Sequence, residues 1–185
     1  MKRRTLVAAF ALLAVSLSAQ AQEAAPRENV ARTKMQALDF LTGVWEGEGW
    51  ILMGPQRRNF RQREIARMGA GETVLVVDGK GLGADADNKG KVEHAAFAVV
   101  NWNAATSAYR WQAFKSDGAS VDVVPQVSDK KLVWELPPNN DRRVRFTITR
   151  DNDSRWHEIG ESWTGDGKPV VFLDMTLRRV GDAPK

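Results

Sequence analysis

The side chains able to do chemistry are few. The 185-residue chain has two histidines, His94 and His157, and no cysteine. A thiolate metal site, a cysteine nucleophile and a disulfide scaffold are therefore excluded. Each histidine has a glutamate beside it, as Glu93-His94 and His157-Glu158. Neighbours on a strand point to opposite faces, so neither pair can chelate one ion from within its own strand. The expectation is no metal and no cofactor, with both histidines satisfied by nearby hydrogen bonds.

Three short motifs invite comparison with known sites, and each fails on physical grounds. Gly160-Glu161-Ser162-Trp163-Thr164-Gly165 misses the nucleophile-elbow spacing by one residue, and no strand-to-helix turn follows it. Gly79-Lys80-Gly81-Leu82-Gly83-Ala84 suits a dinucleotide loop, but it runs into the polar hairpin connection Asp85 to Gly90. No helix N-terminus is then available for a pyrophosphate. The Asp85/Asp87/Gly90 stretch fails as a calcium loop, because Lys89 and Ala96 stand where oxygen ligands are needed. A carboxyl pair of Glu158 and Asp174 on neighbouring strands would suit acid–base work. Strand parity turns Asp174 outward, however, so that pair has no support and the chain is not expected to be an enzyme.

The elements that would position these residues follow from the hydropathy pattern. Lys2, Arg3 and Arg4, an apolar run from Leu6 to Leu17, and Ala19-Gln20-Ala21 have the form of a secretory signal peptide. The run is too short for a membrane span. Residues 1–21 are read as that leader, and the expected destination is the periplasm. Losing these three basic residues lowers the formal net charge from +4 to about +1. Near-neutrality argues against a nucleic-acid partner. The arginines at 57, 58, 61, 63 and 67, and those at 142, 143 and 145, then read as solvated strand faces.

Residues 22–37 are a polar leader running into a short helix. Met35, Leu38 and Leu41 are spaced to share one helical face, and Gly43 is its stop signal. From Gly43 to Val180 the apolar period is close to two. About ten strands result, separated by turns such as Gly54-Pro55, Asp117-Gly118 and Gly165-Asp166-Gly167. No helical stretch intervenes, so the sheet should be an antiparallel meander. The predicted fold is all-β: an up-and-down barrel over residues 38–181 with the short helix closing one end, and a tail at 182–185. Closure would remove exposed edges; a two-sheet sandwich is the alternative.

Alternation sorts the faces. Leu173, Met175 and Leu177 oppose Asp174 and Thr176, and Val144, Phe146 and Ile148 oppose Arg145 and Thr147. Leu132, Trp134 and Leu136 share a face, as do Tyr109, Trp111 and Ala113. For Val92 to Val100 both faces are apolar, which suggests cover on both sides. Seven tryptophans stand against one tyrosine. Trp111, Trp134, Trp156 and Trp163 either fill the interior or line a cavity and stack on a flat ligand. Trp50 and Trp102 are rim candidates.

Leu41-Thr42-Gly43-Val44-Trp45-Glu46-Gly47-Glu48-Gly49 carries a signature. Gly-x-Trp directly after a short helix resembles the opening strand of lipocalins and the wider calycin superfamily. The extended Gly-x-Trp-x-Gly-x-Gly is similar to nitrobindin-like barrels and related bacterial secreted proteins. Met175-Thr176-Leu177-Arg178-Arg179 resembles the closing strand, in which an arginine packs over the first-strand tryptophan. The resemblance implies that pairing for Trp45, with Arg178 or Arg179 supplying the cation and parity favouring Arg179. It also implies a cup for a small apolar molecule, and in nitrobindins a haem held by a histidine of the last strands. The closing strand here has no histidine, which leaves His157 as the haem candidate.

The sequence thus predicts a secreted, non-enzymatic, lipocalin-like protein holding a small hydrophobic or aromatic molecule. The alternatives are a haem protein using His157 and a ligand-free interaction module of the cell envelope. Gly47 and Gly49 leave room on Trp45's face for a large neighbour or for a ligand. The cavity candidates are Gly47, Gly49, Ile51, Trp111, Trp134, Trp156, His157, Trp163 and Met175. No membrane span is expected in the mature chain.

Overall fold

The computed structural model describes residues 29–184. The leader read at 1–21 and most of the polar segment after it lie outside the described residues. Asn29 starts the first element: its side chain accepts a hydrogen bond from the Arg32 backbone N–H, capping helix α1 (Val30–Met35). The helix therefore begins inside the stretch 22–37 expected to lead into it. It tightens into a 3-10 helix over Gln36–Leu41. Three residues per turn stack Leu38 and Leu41 on one line with Met35, and all three are almost completely buried.

Eleven strands follow: β1 (Gly43–Met53), β2 (Gln56–Gly69), β3 (Val74–Gly83), β4 (Val92–Asn103), β5 (Ala108–Lys115), β6 (Ser120–Val123), β7 (Gln126–Ser128), β8 (Lys131–Glu135), β9 (Arg142–Arg150), β10 (Trp156–Thr164) and β11 (Val170–Gly181). The count exceeds the expected ten because Pro125, which cannot donate to a ladder, stands between two short strands. All pairings are antiparallel, and the order is β6-β5-β4-β3-β2-β1-β11-β10-β9-β8-β7. The first and last long strands are thus joined at the middle of the sheet, with Trp45 opposite Arg179 and Gly49 opposite Met175.

The sheet curls into a half-barrel. Its two hydrogen-bonding ends, β6 and β7, are consecutive in the chain, and no ladder joins them among the described residues. Ring stacking draws the limbs of the curl together instead. Trp111 of β5 lies on Trp134 of β8 with centroids 4.4 Å apart and planes 20° apart. Trp134 in turn stacks on Phe146 of β9 at 4.9 Å.

The helical segment plugs one end of the curl. Trp45 Nε1 donates to the Leu41 carbonyl at 2.7 Å, and its ring meets Trp156 edge-on at 5.8 Å. The guanidinium over Trp45 is that of Arg150 in β9, 5.7 Å from the ring, and it also donates to the Phe40 carbonyl at 3.4 Å. This corrects the expected pairing with the closing strand. Arg179 instead leans over Gly43 and binds Asp182 at 2.9 Å, while Arg178 sits opposite Glu46 on the outer side. Gly43 has a φ of +137°, which a side chain would strain, and a Cβ there would strike Arg179.

The helix covers β4 from inside rather than outside. Tyr109 donates to the Lys34 carbonyl at 2.7 Å, and Lys34 lies over Trp102, which packs edge-on against Tyr109. On the outer face Phe97 stays 42% exposed, so β4 is not covered on both sides. Among the described residues no helix is long and apolar enough to cross a membrane.

Candidate functional site

The inner face of β2 is set by its arginines. Arg61, Arg63 and Arg67 take the outer face, which turns Phe60, Gln62, Glu64 and Ala66 inward. Opposite them on β3 stand Gly83, Gly81 and Gly79, paired in register with Phe60, Gln62 and Glu64. On the other flank Gly47 and Gly49 of β1 oppose Gln62 and Phe60. Two glycine rows therefore flank one row of large side chains, and Gly79, Gly81 and Gly49 vacate space that Glu64, Gln62 and Phe60 fill. A Cβ at Gly79 would sit 2.7 Å from Glu64 Cδ, and one at Gly49 would sit 2.8 Å from Phe60 Cζ. Gly47 and Gly49 consequently do not border the cavity inside the curl, although Gly47 borders the groove on the outer face. Their room is taken by Phe60, Met175 and the β11 backbone.

Between this row and the β8–β11 limb lies a cavity of about 410 Å³. Of the expected lining residues, Ile51, Trp111, Trp134, Trp156 and Met175 border it. Ala96, Ala98 and Val77 supply the small-residue wall, and Phe146 and Phe172 the aromatic one. Gly160 faces the same aromatic wall, where a Cβ would meet Phe172 Cζ at 2.9 Å. Gly79, Gly81, Gly83 and Gly160, from the stretches that invite comparison with a dinucleotide loop and a nucleophile elbow, are packing allowances in the fold, and Gly165 serves a turn with a φ of +54°.

Two sequence candidates point away. His157 faces outward, its Nε2 2.9 Å from Asp174 Oδ1 with both side chains about one-third exposed. Trp163 is on the same outer face, beneath the Arg145 guanidinium at 5.1 Å. Neither belongs to the cavity, since β10 sends Trp156, Glu158 and Gly160 inward in alternation. The histidine that does line it is His94. Burial, and then the nearby Lys115 charge, pull its pKa below the ordinary value.

Two carboxyl groups share the cavity, Glu64 of β2 and Glu158 of β10. They are 6% and 9% exposed, in a wall that is otherwise mainly apolar. Burial, reinforced by the charge on Glu158, pushes Glu64 up to about 8. Burial pushes Glu158 up to about 7. Each has one hydrogen bond working in the opposite sense. Gln62 Nε2 donates to Glu64 at 2.6 Å, and Trp156 Nε1 donates to Glu158 at 3.3 Å. Glu64, the true cavity partner of Glu158 in place of Asp174, is the residue that motif reading misses. Its signal is the arginine parity of β2.

A wider groove of about 1220 Å³ runs along the outer face past Glu46, Glu48, Arg61, Arg63, Lys80 and Arg178. Its lining is predominantly basic, with Glu46 and Glu48 the acidic residues; Arg63 pairs with Glu46 at 3.2 Å, and solvent screens exposed charges of this kind. The Asp85 side chain ties its loop to β2, where its carboxylate accepts from the Asn59 backbone N–H at 2.8 Å and from Asn59 Nδ2 at 2.7 Å. Among the described residues no three His, Asp or Glu side chains cluster as a metal site would require.

No protein-family model matches the chain, and no curated protein does. Among solved structures it is similar to the crystal structure of Rv2717c from M. tuberculosis. The TM-score is 0.57 at 17% identity, over 78% of this chain and 96% of that one. At that identity the likeness speaks to the fold alone: a curled antiparallel sheet of the β-barrel kind.

Proposed function

We propose that this chain is an exported, lipocalin-like binding protein rather than an enzyme, and that it holds a small, flat, mainly apolar molecule inside the curled sheet. The observation that carries this reading is the cavity wall. Trp111, Trp134 and Phe146 form a stacked aromatic series beside a void of about 410 Å³. That volume is within the range of small-molecule sites, roughly 300–1,000 Å³. Trp111 is 5% exposed, and its Nε1–H has no partner among the described residues. A buried donor left unpaired costs about 1–3 kcal/mol, which a ligand acceptor would recover. The calycin resemblance of the Gly43-Val44-Trp45 opening supports the same reading, and the leader pattern at residues 1–21 supports export. A haem held through His157 gains no support from a side chain turned away from the cavity.

The test is titration with soluble flat molecules such as 2-(1-naphthyl)ethanol, followed by calorimetry and by tryptophan fluorescence. Saturable binding that weakens at least tenfold in Ala98→Trp, which would fill the cavity from β4, is the expected result. An Ala98→Trp protein that folds and binds as the parent does would place the ligand elsewhere. No saturable response in the parent protein to any such compound would defeat the proposal.

A further inference from the structure

We infer that the ligand carries a protonated amine, held between Glu64 and Glu158 while its apolar body lies against the tryptophan wall. This rests on the binding reading above and adds the ligand's charge to it. Two carboxyl groups from opposite limbs of the sheet, β2 and β10, border one apolar cavity, each less than a tenth exposed. Buried carboxyls ordinarily come with a cation or several donors. Here each has one neutral donor, from Gln62 and Trp156 respectively, and neither forms an ion pair among the described residues. Most of their acceptor capacity is unused.

The placement is built in. Gly79 lies directly beneath the Glu64 carboxyl, where any Cβ would displace it. The remaining wall is also suited to a cation, because indole and phenyl faces attract positive charge once water is excluded. The charged groups nearby do not fulfil that role. Lys115 binds Asp117 at 2.7 Å, Arg142 is an exposed rim residue, and His94 is driven toward its neutral form. Asp78 on β3 adds negative charge near Glu64. Burial, reinforced by the charge on Glu158, favours the protonated form of Glu64; an ammonium beside it would favour the charged form, so its binding should release a proton.

The experiment compares 2-(1-naphthyl)ethylamine with 2-(1-naphthyl)ethanol, which share ring and chain length and differ in charge. Calorimetry at pH 7.5 is repeated in phosphate and in Tris so that proton release appears as a buffer-dependent heat. The amine is expected to bind at least tenfold more tightly than the alcohol and to release protons. In Glu64→Gln/Glu158→Gln, checked for a cooperative thermal transition, the ratio should fall below threefold. Equal affinities in the parent protein, or a ratio that survives the double substitution, would overturn the inference. Binding of the alcohol alone would remove the ammonium and leave the cavity reading intact; binding of neither would remove both.

Discussion

Replacing Glu64 with glutamine should flatten the pH dependence of stability above neutrality. In the folded protein burial holds the Glu64 pKa at about 8, against 4.5 for the free side chain. Above 4.5 the unfolded chain loses its proton while the folded chain keeps it. Stability contributed by this group is therefore full below about pH 4.5 and is lost as pH rises toward 8. His94 works in the opposite direction: its folded pKa is depressed, so it lowers stability as pH falls below its ordinary 6.5. Between pH 6.5 and 8 the carboxyls dominate, since the half-protonated unfolded imidazole adds back no more than about 0.4 kcal/mol. Each group with its proton retained only in the folded state contributes a slope of up to about −1.4 kcal/mol per pH unit. Over that interval Glu64 accounts for about 2 kcal/mol, and Glu158, with its pKa near 7, for less than about 1 kcal/mol. Urea unfolding at pH 6.5, 7.25 and 8 measures the difference directly. The parent protein should lose roughly 2–3 kcal/mol across the series and Glu64→Gln less than about 1. A parent protein equally stable at both ends, or a variant with the parental slope, would show that Glu64 is hydrated in the folded state.

Gly79→Ala should destabilise by about 1–3 kcal/mol, because its Cβ collides with the Glu64 carboxyl. In the Glu64→Ala background the same change should be close to neutral, a coupling that a double-mutant cycle in urea would read. Arg150→Ala should lower stability by about 1 kcal/mol through loss of its contact with Trp45 and Phe40, whereas Arg179→Ala should change it by less than about 0.5. Equal effects of the two arginines would return the stacking role to the closing strand. Trp45→Phe should cost about 2–4 kcal/mol, since it leaves the Leu41 carbonyl without its donor and opens a gap beside Trp156. Thermal or urea unfolding decides both.

Much of this architecture is legible in the residues because side-chain direction in a strand is a local property. The period of two after Gly43 identifies the inward rows of β5, β8, β9 and β11, and Met35, Leu38 and Leu41 mark the face of the short helix. Those rows place Trp111 and Trp134 inside without any knowledge of which strands are neighbours. The same arithmetic, applied to Arg61, Arg63 and Arg67, places Glu64 inside. It is obscured because an inward Gln62-x-Glu64 pair contradicts the usual sorting of polar residues to solvent.

Partnership across the sheet is a different kind of information. That Gly79, Gly81 and Gly83 sit opposite Glu64, Gln62 and Phe60 depends on register, and register is settled by the whole hairpin. That Arg150 rather than Arg179 covers Trp45 depends on how far the sheet curls, because the two arginines reach the indole from different strands. The chain's own pattern determines strands, faces and the helical plug, since these follow from backbone geometry over a few residues. The meeting of Glu64 with Glu158, distant in sequence, and the void left between them were decided by the curl alone: local periodicity says which way a side chain points but not what it finds there.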